Sequence, residues 1–350
     1  MDANAIWRQL LDAQLARGDM PDPGHIAPPW YLRALAAAAA WIAAVCVLSS
    51  VGLAFLHAFD HTGSSMGVGV ALCIAGGVVL ARANARPFVA QFGLAILIAG
   101  EAALGLGIQL ASKPHVALGW AIFAGVEMAM LVVVTDRTHR TLAALAAMGA
   151  AYFALERAGP ISLMPPIAAV LFVGGALAAE RDARAYALFH PAAAGVAVAL
   201  LAFAPLANVA GDTAQWRHLP ADVPAWLPSS LMALAFVAVV AMLLRRLAVG
   251  DARMRAVALC GAVAVAALAF PVPGLLAALV VMFVAFATGR AALTGLGIVC
   301  ALGMLGFYYY SLAATLLAKS ASLVAVGTVL LVTGVALRRL AREAQGGSHA

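Results

Sequence analysis

Charge is scarce in this chain. Only 10% of its 350 residues are Asp, Glu, Lys or Arg, and only two, Lys113 and Lys319, are lysine. A soluble domain carries about 25% charged residues. With 65% hydrophobic residues, the chain lacks the polar side chains to cover a water-facing surface, so the bilayer must be part of its solvent. Cysteine is scarce too. Cys46, Cys73, Cys260 and Cys300 lie far apart in apolar runs, which argues against a disulfide or metal framework and reads as small buried hydrophobes. There is no P-loop, GxSxG, HExxH or CxxC motif, so neither an ATPase nor a serine hydrolase is indicated. No cofactor is expected and no reaction can be read. A membrane-embedded enzyme acting on a lipid-linked substrate, with outer-face histidines and Arg217, stays open as a third possibility. The first twenty residues lack the continuous apolar core of a signal peptide.

What is present is a series of apolar runs. Twelve are read as spanning segments: 33–56, 65–81, 88–111, 115–135, 139–156, 162–179, 185–207, 228–247, 254–270, 272–289, 291–312 and 320–337. The arginines test that count, because Lys and Arg accumulate in short cytoplasmic loops. With the N-terminus inside, 17 basic residues fall in inner segments and four, Lys113, Arg157, Arg217 and Lys319, in outer ones. A miscounted helix would reverse this bias downstream. The expectation is therefore an all-α polytopic transmembrane bundle of about twelve spans with both termini cytoplasmic, in a bacterial cytoplasmic (inner) membrane. The net charge of +6 is then topology, and no nucleic-acid partner is expected. Residues 1–30 form a cytoplasmic amphipathic helix, with Ile6, Trp7, Leu10, Leu11 and Leu15 on one face, and a Pro-rich linker. Residues 31–340 form the bundle and 341–350 a cytoplasmic tail. The segment 208–227 reads as an ordered interfacial loop.

Glu101 and Glu127 are the most informative side chains, each deep in an apolar run. A charged group at mid-membrane costs about 2.5–3.5 kcal/mol on insertion scales and more in simulations, and such residues mark proton or ion paths. Counting from the outer ends of their helices puts both about 15–18 Å deep, so the two carboxyls are placed to meet and share a proton. Gly93, Gly100 and Gly107 on one helix, and Ala117, Ala121, Gly125 and Ala129 on the next, would let the hairpin pack closely. The competing reading is a protonated structural carboxyl. His57 and His61, at i and i+4 around Asp60, are weak metal candidates without a specified third ligand; no metal site is expected. His190 beside Pro191 reads as a local helix distortion, and Arg157 beside Glu156 as a local ion pair or anchor.

Tyr308, Tyr309 and Tyr310 stand consecutively near an outer helix end, with Lys319 nearby. An aromatic belt explains their depth. The stretch 307–340 has an aromatic run from Phe307 to Tyr310, then Leu316 and Leu317, Lys319 and Ser320, Gly327, and Arg338 and Arg339. In this it resembles the closing segment of a bacterial membrane family designated domain of unknown function 4401. The resemblance implies an inner-membrane protein of unassigned activity. It also implies company: a neighbouring polytopic protein and a small anchored envelope protein with a Gly-Asp-Tyr motif. Tyr308–Tyr310 and Lys319 are then candidates for docking a partner. Two main functions compete: a proton- or ion-linked transporter using Glu101 and Glu127, and a non-catalytic subunit of an envelope complex. The lipid bilayer is the partner common to both.

Overall fold

The computed structural model describes residues 7, 11–12, 30–54, 62–83, 86–113, 115–217, 223–224, 226–247, 251–270, 272–311 and 316–346. Among these there are twelve long α-helices and no strand. They are α1 (Trp30–Ala54), α2 (Thr62–Ala81), α3 (Pro87–Ala111), α4 (Val116–Val133), α5 (Arg137–Ala158), α6 (Met164–Ala178), α7 (Ala183–Arg217), α8 (Trp226–Arg246), α9 (Ala252–Leu268), α10 (Pro273–Ala287), α11 (Ala291–Ser311) and α12 (Leu316–Gly346), with a 3-10 turn at Ile161–Leu163. Each of the twelve apolar runs is thus a helix. Among the described residues six helical stretches are long and apolar enough to cross a membrane: Ser64–Ala81, Pro87–Ala111, Val116–Val133, Ile161–Ala178, Ala183–Pro205 and Trp226–Arg246. Shorter apolar stretches occupy Ala34–Cys46, Pro273–Ala287 and Ala291–Phe307.

Local chemistry sets the helix ends. Asp136 caps α5, its side chain accepting from the His139 N–H, and Asp251 caps α9 through the Arg253 N–H. Prolines open α6 and α10, where a missing N–H leaves nothing unpaired. Gly159 closes α5 at φ 113°, its N–H returning to Leu155 O, a conformation that favours glycine. One boundary differs from expectation. Residues 208–217, read as part of a loop, continue α7 as helix to Arg217. Nothing in NVAGDTAQWR stops a helix, and the next prolines, Pro220 and Pro224, come only afterwards.

The chain divides into two compact units, Met1–Leu56 with Leu72–Ala99, and His57–Ala71 with Gly100–Ala350. In the first, α1 meets the start of α3 through a hydrogen bond from Trp41 Nε1 to Gln91 Oε1 at 3.2 Å. The end of α2 lies against the start of α3 in backbone contact: a Cβ at Gly76 would stand 2.5 Å from Leu97 N, and one at Gly93 2.8 Å from Leu80 N. Ala40, Ala44, Leu94 and Leu97 are buried here. Trp7 is helical and half-buried, and Leu11 and Asp12 are helical and exposed; the rest of the expected amphipathic face lies outside the described residues.

In the second unit the same crowding recurs between Gly69 and the Gly100–Leu104 turn, and between Gly107 and Met66. The glycine stripe of α3 therefore packs on α2, not on α4 as its spacing suggested. The small residues of α4 do not face α3 either: Ala121, Gly125 and Ala129 are exposed, and Gly125 has open space beside it. The α3–α4 fit rests instead on Gly105 beneath the Phe123 ring and Gly119 beside Gln109 and Ser112. The main core of this unit surrounds α10, which packs on α6, α7, α8 and α11 and buries Leu276, Val280, Val281 and Val284 against partners that include Phe172, Leu200 and Met232. Cys46 and Cys260 are exposed and Cys73 and Cys300 half-buried, and none forms a disulfide among the described residues, so the expected burial of the cysteines does not hold.

Candidate functional site

Five described polar or charged residues are buried: Ser65, Glu101, Glu127, His139 and Arg140. Four of them gather where α4 ends and α5 begins. The turn VTDRTHRT builds this node. Asp136 takes the N-cap, which places His139 at the third helical position and turns it inward. From there the buried face runs on through Arg140, Ala143, Ala144, Ala147 and Met148, the i, i+4 repeat of one helix side.

His139 is fully buried, and its Nε2 lies 2.7 Å from Glu101 Oε1. With Glu101 ionised, Nε2–H donates to the carboxylate; with Glu101 protonated, the carboxyl donates to a neutral Nε2. His139 Nδ1 is buried and has no hydrogen-bond partner among the described residues. Glu127 has zero exposure, and neither of its oxygens has such a partner. The two carboxyls therefore do not share a proton by direct contact: Glu101 turns to His139 instead. Glu101 remains close enough for its charge to act on Glu127.

Arg140 is 8% exposed. Its Nε donates to Leu131 O at 3.2 Å and Val134 O at 3.0 Å, and its Nη1 to Ala187 O at 2.8 Å. The first two carbonyls belong to the last turn and the C-cap of α4, where a cation suits the helix dipole. In the count of basic residues Arg140 is one of the 17 inner ones and reads as an ordinary loop charge. It is a buried fork joining α4 and α7.

His190 is half-buried in α7, its ring 4.6 Å from that of Tyr186, and its carbonyl accepts from Arg290 Nη1 at 3.1 Å. Burial pushes the Arg290 guanidinium below its ordinary range, with Tyr186 and Glu180 acting in the opposite direction. His115 is exposed at the start of α4 and lines a shallow open groove with Val116, Ala117, Leu118 and Arg157. Arg157 Nε stands 4.0 Å from Glu156 Oε2, a loose, exposed pair. His57, Asp60 and His61 lie outside the described residues. Tyr308, Tyr309 and Tyr310 lie on the last helical turn of α11 and Lys319 on the first turn of α12; their side chains lie outside the described residues.

Sequence reasoning found the two carboxylates and missed the residues that hold one of them. The available signal was Asp-x-x-His at a helix start, continued by a buried small-residue face. Pro191, one of two prolines inside α7, was a second signal, because it implies a carbonyl that needs an outside donor. Among known proteins, no curated protein and no solved structure matches this chain. Residues 29–340, which include every helix of the node, match the family described as Domain of unknown function (DUF4401), and the chain belongs to that family.

Proposed function

We propose that this protein is a multi-pass protein of the bacterial cytoplasmic membrane, that its twelve helices all span with both ends cytoplasmic, and that it moves protons, or a solute coupled to protons, past Glu101, His139 and Glu127. One observation carries the reading: a buried Glu101–His139 contact beside a fully buried carboxyl with no hydrogen-bond partner among the described residues, on helices apolar enough to cross a membrane. Such groups are expensive in a bilayer and are kept where they exchange protons or bind ions. A glutamate and a histidine in contact can pass one proton between them without a net charge appearing in the low-dielectric interior. Glu127 supplies the next acceptor along that path.

The test is proton flux in proteoliposomes, read by an enclosed pH dye under an imposed gradient. In the Glu101→Gln/Glu127→Gln double variant the flux should fall by about 10²–10⁴-fold, the usual loss when a proton-transfer group is removed. Undiminished flux in the well-folded variant would sink the proposal.

A second reading makes the protein a subunit of an envelope complex, docked through Tyr308, Tyr309, Tyr310 and Lys319. The placement of all four at the facing ends of α11 and α12 supports it. Its test is a pull-down in mild detergent with mass spectrometry. A stoichiometric partner should co-purify with the native chain and be lost with Tyr309→Ala/Lys319→Ala; retention of that partner by the variant would count against this site.

A further inference from the structure

The first turns of α5 hold three other helices. His139 reaches Glu101 on α3, and Arg140 reaches the end of α4 and Ala187 O on α7. Thr141 Oγ1 donates to Pro191 O on α7 at 3.1 Å. The α7 contacts fall on a defined defect. Pro191 lies inside α7. It has no N–H, so Ala187 O, four residues earlier, loses its helical donor, and the proline ring crowds that carbonyl. Arg140 supplies the missing donor. Thr141 and Arg290 hold the carbonyls of Pro191 and His190. One turn further on, α5 and α7 touch backbone to backbone, since a Cβ at Gly195 would collide with Thr141 O. The hydrogen-bond gap that Pro191 leaves in α7 is thus filled by the residue next to the one that meets Glu101.

We propose that Arg140 is a positioning residue that ties the Glu101–His139 contact to the hydrogen-bond gap that Pro191 leaves in α7, an inference that rests on the proton site proposed above. While Glu101 is ionised its bond to His139 is charge-assisted and holds the first turn of α5 against α3. When Glu101 takes a proton the bond becomes a neutral one of about half the strength. The turn then relaxes, Arg140 leaves Ala187 O, and α7 is free to bend about Pro191. Other charged or titratable groups around this node are Glu127 on α4, Asp136 at the cap, Arg137 on α5, and His190 on α7, whose carbonyl accepts from Arg290. Loading the site with a proton would in this way change the shape of a neighbouring helix, which is the coupling a proton-driven transporter needs.

The experiment is amide hydrogen exchange by mass spectrometry on the full chain in lipid nanodiscs, in acid and in alkaline buffer, corrected for intrinsic exchange. In the native chain the amides of residues 188–195 should exchange faster in acid, while those of α10 do not respond. Arg140→Gln should speed exchange in 188–195 by about ten- to a hundredfold in both buffers, as expected for losing bonds from a charged donor. Glu101→Gln should abolish the difference between the buffers. Pro191→Ala restores an N–H to Ala187 O, so it should remove the pH response alone and suppress the effect of Arg140→Gln in the double variant. If Arg140→Gln does not fold, Pro191→Ala by itself decides the matter. A pH response that persists in Pro191→Ala or in Glu101→Gln overturns the proposal, as does unchanged exchange in Arg140→Gln. Loss of this exchange pattern with intact Glu-dependent flux would remove the coupling alone. The pattern without any proton flux would remove the transport reading and leave the clamp.

Discussion

Two regions are equally shut off from the surroundings and are filled in opposite ways. Ten residues of α10 are buried, from Pro273 to Ala285, and all are apolar or glycine. The node at the start of α5 buries Glu101, Glu127, His139 and Arg140. On the proposed membrane reading, an apolar side chain gains little by exchanging acyl chains for protein, so α10 would be held by close packing and not by escape from water. Its residues are interchangeable with others of the same shape. The node has no such freedom. Arg140 is matched by three carbonyls and Glu101 by one histidine. Glu127 is matched by no hydrogen-bond partner among the described residues. Packing in one region holds the structure; unequal pairing in the other leaves chemistry available.

The sharpest way to break that contrast is to damage each region in turn. Leu276→Ala should destabilise by about 2–5 kcal/mol through an unfilled cavity, read by denaturation in detergent, while flux per folded molecule in liposomes stays at the native level. A loss of flux per folded molecule would show that the α10 core shares in function. Within the node the two carboxyls should respond in opposite directions. Glu101→Leu strands His139 Nε2 and should destabilise by about 1–3 kcal/mol, the cost of a buried group left unpaired. Glu127→Leu strands nothing and removes a buried polar group, so it should stabilise by about 1 kcal/mol. Equal effects of the two substitutions in the same denaturation assay would erase the distinction between a paired and an unpaired carboxyl.

The fold was legible because its signal is repeated. Twelve apolar runs and the punctuation between them mark twelve helices, and prolines or capping aspartates mark several ends. Glu101 and Glu127 stood out because a lone carboxylate in an apolar run has few structural excuses. What stayed hidden was rotation about the helix axis. Heptad-spaced glycines on α3 show that some helix comes close, but not which; the answer is α2, whose Gly69 and Gly76 carry the matching spacing. Arg140 was hidden for another reason. An arginine three residues from an arginine at a short loop reads as a topology signal, and only the register set by the Asp136 cap shows that it points inward.

The smallest expected effect separates a buried cation from an exposed one. Arg246 Nη1 lies 2.7 Å from Glu180 Oε2, a distance shorter than that of any hydrogen bond made by Arg140, yet the two side chains are 38% and 44% exposed. Solvent screens such a pair, and holding two long side chains in one geometry costs entropy, so exposed pairs contribute about 0–1 kcal/mol. Arg246→Ala should therefore change stability by less than about 1 kcal/mol, and a double-mutant cycle with Glu180→Ala should give a coupling that shrinks further in high salt. Arg140→Gln, which breaks longer contacts that are buried from solvent, should keep its effect in the same salt. A salt-insensitive coupling at Arg246 as large as the Arg140 effect would mean that contact distance, and not exclusion from solvent, governs how this protein uses its few charges.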